Sequence, residues 1–265
     1  MQPLLNIAIR AARRAGDSIV RSLARLDSLK VDSKGRNDFV TDVDRRAEAE
    51  IIATVRRSHP DHAVLGEESG RSGEGEFLWI IDPLDGTTNF LHGFPAFAVS
   101  IGVERRGRVD HAVIYDPMRQ ELFTASRGDG AQLDGKRIRV SAQHGLEGSL
   151  IGTGFPFREV GGHVDDYLAT LKAVMALAAG VRRPGSAALD LAYVAAGRLD
   201  GFWEFGLQPW DTAAGSLLIR EAGGRIGTPS GGEYALGPNV VAGNPKVYTE
   251  LLGTIGPMVP PALRD

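Results

Sequence analysis

Residues 79–90 read Trp-Ile-Ile-Asp-Pro-Leu-Asp-Gly-Thr-Thr-Asn-Phe. The apolar run that begins at Phe77 predicts a buried strand over residues 77–81, and Pro83 marks a break just beyond it. Asp82 and Asp85 then stand three apart at the strand's C-terminal end, where both can face one space. Gly86 lets the backbone approach a ligand closely. A helix starting here would turn the amides of Gly86 and Thr87 toward an anion. Carboxylates beside an anion site make sense only with cations between them. The spacing is equally compatible with a proline-containing turn and an aspartate helix cap.

Upstream of this segment, the run at residues 63–65 ends in Glu67-Glu68, again acids after a short strand. Before it, Ala47, Ile51, Ile52 and Val55 predict a helix over residues 44–58, stopped by Pro60. A polar loop is expected at residues 30–37. Ile7, Ala11, Ala15, Ile19, Leu23 and Leu26 predict a first helix over residues 3–29. Arg10, Arg13 and Arg14, with no acid before Gly16, resemble a mitochondrial presequence. The apolar stripe continues past Gly16, however, which favours a folded helix. There is no signal-peptide apolar core, so a cytoplasmic protein is expected.

Downstream, residues 96–104, 107–115 and 121–126 predict an antiparallel meander, with turns at Arg106-Gly107 and Asp116-Pro117. Residues 137–140 alternate as a half-exposed strand should. After residue 141 strands and helices alternate. Strands are expected at 150–153, 201–205 and 240–242, and helices at 164–179, 186–196 and 211–222. A last helix is expected over residues 248–254. Gly223-Gly224 supplies the end of the helix at 211–222. The pattern predicts an α/β protein of two subdomains, residues 1–140 and 141–265.

The 265 residues are 43% hydrophobic and 24% charged, which excludes a disordered chain. A formal net charge of −3 argues against a general nucleic-acid binder. With no cysteine there is no disulfide, no thiolate catalysis and no cysteine-based zinc site. No apolar run approaches the ~18 residues of a membrane helix. Residues 130–137, GAQLDGKR, come one residue short of a phosphate-binding loop, with Arg137 where a Ser or Thr is required. A strand follows them instead of a helix, so a turn is the better reading. No GxSxG elbow occurs, no GxGxxG follows a strand, and the six histidines have no ligand spacing.

Asp211 follows Pro209-Trp210 and opens a helix. Taken singly, Glu67 reads as a solvated loop acid and Asp211 as a helix cap. Together with Asp82 and Asp85 they would form a cluster in which each pair at ~4 Å repels by about 4 kcal/mol at an effective dielectric near 20. Such a cluster persists only with metal or bound protons. All-oxygen ligands select Mg²⁺, Mn²⁺ or Ca²⁺ over zinc.

Three motifs carry a family resemblance: GEES at residues 66–69, WIIDPLDGTTNF at 79–90 and WDTAAG at 210–215. The chain resembles the inositol monophosphatase family, and within it the bacterial SuhB type. The resemblance implies a layered α/β/α/β/α sandwich, with an antiparallel sheet in the N-terminal half and a mixed sheet in the C-terminal half. It implies a Mg²⁺-dependent phosphomonoesterase, inhibited by lithium, acting on myo-inositol 1-phosphate. Because no nucleophilic side chain is apparent, in-line attack by a metal-activated water without a covalent intermediate is expected. Two or three Mg²⁺ would be held by Glu67, Asp82, the Leu84 carbonyl, Asp85 and Asp211, with Asp44 lining the weakest site. Thr87 and Glu67 would orient the water, and Asp85 completes the catalytic set. Gly86 and Thr87 would hold the phosphate. Gly185, Ser186, Ala187, Glu204 and Asp211 would line the sugar pocket, and Lys34 would belong to a metal-site loop. Thr88-Asn89 fits the inositol branch over the nucleotide branch.

The same resemblance implies a homodimer. It also carries a second reading, a binding component of the transcription antitermination machinery for rRNA. Antitermination factors or RNA polymerase would then be partners, with Arg105-Arg106 and Arg182-Arg183 as candidate contacts.

Overall fold

The computed structural model describes residues 2–26, 31–35, 38–156 and 162–265, excepting the side chains of residues 33–35 and 38. Helix α1 (Pro3–Leu23) is followed by a hairpin of β1 (Val31–Gly35) and β2 (Asp38–Thr41), then by α2 (Asp42–Ser58). Next come β3 (Ala63–Gly66), β4 (Gly70–Ser72) and β5 (Phe77–Asp85). The short α3 (Thr87–Leu91) precedes β6 (Ala98–Arg105), β7 (Arg108–Asp116), β8 (Glu121–Ser126), β9 (Gly130–Leu133) and β10 (Lys136–Arg137). The later part consists of β11 (Leu150–Thr153), α4 (Val164–Met175), β12 (Gly180–Arg182), α5 (Ala187–Ala195), β13 (Gly201–Glu204), α6 (Pro209–Glu221), β14 (Arg225–Gly227), β15 (Val240–Gly243) and α7 (Pro245–Ile255).

The strands form two large sheets. The first runs β10-β9-β8-β7-β6-β5-β3-β4 and is antiparallel except where β3 pairs in parallel with β5. The second runs β12-β11-β13-β15-β14; β11 is parallel to both its neighbours, and the β13-β15-β14 pairings are antiparallel. Period-2 alternation decides what lies on each face. Trp79 and Ile81 of β5 pack with Val64 against Ala11, Ala15 and Ile19 of α1 and Ala47 and Ile51 of α2. Leu78 and Ile80 turn the other way, onto Leu189, Leu191, Ala213 and Leu217 of α5 and α6. That middle helical layer is shared, because Phe202, Val240 and Ala242 of the second sheet also join it. Ile151, Trp203 and Val241 face outward onto Tyr167 and Val174 of α4 and Val247 and Leu251 of α7. The result is the expected α/β/α/β/α order of layers. Full burial of each such aliphatic or aromatic side chain contributes about 1.5–3 kcal/mol.

Several boundaries differ from the sequence expectation. Helix α1 stops at Leu23, where a tighter i to i+3 bond from Arg25 N–H to the Ser22 carbonyl (3.0 Å) ends it without glycine or proline. Residues 27–29 of the expected helix lie outside the described residues. Part of the expected polar loop is the β1–β2 hairpin. Helix α4 ends at Met175, four residues early, where the Leu177 and Ala178 amides fold back onto the Val174 carbonyl. Residues 130–137 form the β9–β10 hairpin, so β9 is an additional strand. Of the expected strand at 137–140 only Arg137 lies in a strand, with the Ile138 N–H adding a bond to the Ala131 carbonyl at 3.0 Å. No helix among the described residues is long and apolar enough to cross a membrane.

Candidate active site

Strand β5 continues beyond the expected Ile81, and it does so through a bulge. Asp82 pairs with Ser100 and Asp85 with Ala98, so the register slips between the two acids. Pro83 sits inside that irregularity, where its missing N–H removes nothing from the ladder. Asp82 Oδ1 accepts the Leu84 N–H at 3.0 Å, which closes the local turn. The bulge therefore re-aims Asp85 to the side that Asp82 faces.

Helix α6 supplies the third acid from across the molecule. Asp211 stands in its first turn, and its Oδ2 accepts the Gln208 N–H at 2.7 Å, one half of a capping box. One carboxylate oxygen from each of Asp82, Asp85 and Asp211 lies within 4.8 Å of the others. Asp82 is 1% exposed. Burial, followed by the charges of Glu67, Asp85 and Asp211, holds its carboxyl well above the usual aspartate range. Glu67 also hydrogen-bonds to Asp82. All four acids expected from sequence thus converge.

Asp44 reaches the same place by another route. It is fully buried in the first turn of α2 and accepts the Thr41 N–H at 2.9 Å. The Thr87 hydroxyl donates to Asp44 Oδ1 at 2.9 Å, with the Leu84 carbonyl 3.1 Å away as its other acceptor. Burial raises the Asp44 carboxyl above its ordinary range, opposed by these hydrogen bonds. Asp44 is not among the three carboxylates gathered within 4.8 Å. Lys34's side chain lies outside the described residues.

The turn before α3 is shaped by Gly86. Its φ is +97°, and a Cβ there would sit 2.8 Å from the Ala96 carbonyl, so only glycine fits without strain. The first N–H groups of α3 have no helical carbonyl to bond. Opposite stands the wall of Gly185, Ser186 and Ala187. Ser186 Oγ donates to Asp85 Oδ2 at 2.6 Å and the Ala188 N–H to the same oxygen at 2.8 Å. The Asn89 amide donates to the carbonyls of Ala96 (2.6 Å) and Pro184 (2.8 Å), tying the turn to the wall.

Glu67, the three clustered aspartates, the turn at residues 86–89 and the wall at 185–187 line one cavity of about 910 Å³, which also takes in Glu204, Phe155, Arg183 and Phe205; Asp44 meets it through Thr87. Glu204 ends β13 on the cavity wall. The Arg183 guanidinium lies 5.3 Å from the Phe155 ring centroid and so belongs to this cavity. Arg105 and Arg106 both pair with Glu76, at 2.9 and 3.0 Å.

One residue of the site was not singled out from sequence, and Asn89 was read there only as a marker of the inositol branch, not as the tie between turn and wall. Glu48 is 2% exposed, and its carboxylate accepts the N–H groups of Glu68 and Ser69. Its sequence signal was an acid on the inward stripe of α2, four residues after Asp44 and beside Ala47 and Ile51.

The donor set fits a hard divalent cation. It is all oxygen, partly buried and anionic, with no histidine in the three-acid group. Residues 1–256 match the Inositol monophosphatase family. The chain is 56% identical to Nus factor SuhB of Pseudomonas aeruginosa over the whole of both chains. It superposes on the extragenic suppressor protein SuhB of Bartonella henselae with a TM-score of 0.93, at 46% identity, covering 96% of this chain and 98% of that one. Against the inositol monophosphatase of Anabaena (Nostoc) the TM-score is 0.82 at 38% identity, covering 97% and 96%. By sequence, layer order and acid cluster together, the chain belongs to the inositol monophosphatase family.

Proposed function

We propose that this protein is a Mg²⁺-dependent phosphomonoesterase that hydrolyses myo-inositol 1-phosphate to inositol and phosphate. The observation that carries the reading is the gathering of Asp82, Asp85 and Asp211 within 4.8 Å, with Asp82 buried. Like charges so close in a poorly hydrated site require protons or cations. Glu67, Asp82, Asp85 and Asp211, with the Leu84 carbonyl, would hold the cations, and Asp44 would serve the weakest position. Bound divalent ions would supply charge neutralisation and water activation.

The remaining roles fall to the chain itself. Thr87, steadied by Asp44 at 2.9 Å, would orient the attacking water together with Glu67. The amides of Gly86 and Thr87 would hold the phosphate oxygens. Glu204 would accept hydrogen bonds from sugar hydroxyls, and the wall at Gly185, Ser186 and Ala187 would fix the ring's orientation. Asp85 would be kept in place by Ser186 and the Ala188 amide. Residues 1–140 and 141–265 act here as two subdomains that each supply part of one site. The family name of the Anabaena neighbour supports an inositol phosphate as substrate. Measured kcat/KM for myo-inositol 1-phosphate, a nucleotide bisphosphate and fructose bisphosphate tests the choice; a nucleotide preference overturns it.

A second reading is favoured by the Nus factor name of a relative 56% identical over its full length. On that reading the protein acts in the cytoplasm as a homodimer that binds transcription antitermination factors or RNA polymerase. Asp85→Asn separates the two. Loss of phosphate release with retained rescue of a deletion strain assigns the cellular role to binding; failure to rescue assigns it to catalysis.

A further inference from the structure

We propose that Glu48 is the positioning residue for Glu67, and that through it helix α2 sets the divalent-cation affinity of the acid cluster. The inference rests on the reading of that cluster as a cation site. Glu48 touches none of the reacting groups. Its Oε2 accepts the Glu68 N–H at 2.9 Å and its Oε1 the Ser69 N–H at 2.8 Å. On the other side, the Glu67 N–H donates to the Ile81 carbonyl at 3.1 Å. Glu67 is therefore held from both directions: by β5, which also carries Asp82, and by the carboxylate of α2. Two hydrogen bonds from one carboxylate to consecutive amides brace the turn that follows Glu67.

Gly66 shows that this approach is built into the chain. A Cβ at position 66 would lie 2.4 Å from Glu48 Oε2, so the carboxylate can lie against β3 only because residue 66 has no side chain. Groups that hydrogen-bond or brace a metal-ligating carboxylate tune the metal without touching it, and their loss lowers metal affinity about 10–100-fold.

The test uses the full-length protein and Mn²⁺, read by the loss of its free electron paramagnetic resonance signal. Glu48→Gln keeps the shape but faces an amide N–H with an NH₂ group. It should bind Mn²⁺ about 10–100-fold more weakly. Gly66→Ala should reproduce the loss by displacing Glu48, whereas Glu50→Gln on the same helix should bind as the wild type does. A Glu48→Gln protein with lowered melting temperature but unchanged Mn²⁺ affinity overturns the proposal, since the contact would then be structural alone. Wild-type protein that takes up no Mn²⁺ overturns both this and the cation reading beneath it; wild-type uptake with an indifferent variant overturns this alone. Amide exchange provides a second measurement that needs no variant. Mg²⁺ should slow exchange at Glu68 and Ser69, and unaltered exchange there contradicts the coupling.

Discussion

Ser186 and Asp85, 101 positions apart, are joined by a 2.6 Å hydrogen bond from Oγ to Oδ2. Ser186 also caps α5, its Oγ accepting the Leu189 N–H. One hydroxyl therefore ties the end of the first sheet to the start of the middle helical layer. Ser186→Ala removes both links but leaves the Ala188 amide on Asp85. The expected outcome is a stability loss of about 1–2 kcal/mol. A roughly tenfold rise in the Mg²⁺ concentration for half-maximal activity should accompany it. Urea unfolding and a Mg²⁺ activation curve measure the two.

Asp82 should oppose stability when no cation is bound. Burial, then Glu67, Asp85 and Asp211, raise its carboxyl in the folded protein above the unfolded value of 3.8. Between those two values the folded state holds a proton that the unfolded chain has released. Stability then falls as pH rises through that interval. In EDTA, Asp82→Asn should consequently melt above the wild type, by a margin that grows as pH is raised from the unfolded value through the folded one. Saturating Mg²⁺ should reverse the order. Melting curves across pH, with EDTA and with Mg²⁺, check both halves.

Asn89 should act on substrate binding more than on turnover. Its amide serves the Ala96 and Pro184 carbonyls together. Asn89→Ala strands two acceptors, at a cost of about 1–3 kcal/mol for each that stays dry. With the wall loosened, KM for the sugar phosphate should rise severalfold while kcat falls less. Steady-state kinetics on the soluble variant separates the two terms.

Direct displacement by water predicts inversion at phosphorus. Hydrolysis of a chiral phosphate ester in ¹⁸O-labelled water should give inverted product, and retention would reveal a covalent phosphoenzyme.

Much of the site was legible because its chemistry is local. Asp82 and Asp85 sit three residues apart at a strand end, and Asp211 opens a helix; acids at such places are visible before any folding is known. Their convergence was not local, and it rested on the family motifs. The bulge between Asp82 and Asp85 was hidden because Pro83 suggested a strand end, whereas the backbone stays paired on the far side. Glu48 was overlooked because a helix acid ordinarily reads as solvated. Only the bare backbone of Gly66, on a strand that packs beside α2, makes room for its carboxylate inside. The end of α1 escaped for a different reason: the helix stops at Leu23 without a sequence breaker.

Calorimetric titration of the metal-free protein with Mg²⁺ bears most directly on the acid cluster. Saturable heat with at least two ions per chain, reduced by Asp211→Asn, is the expected result. A flat titration of the folded wild type would contradict the account.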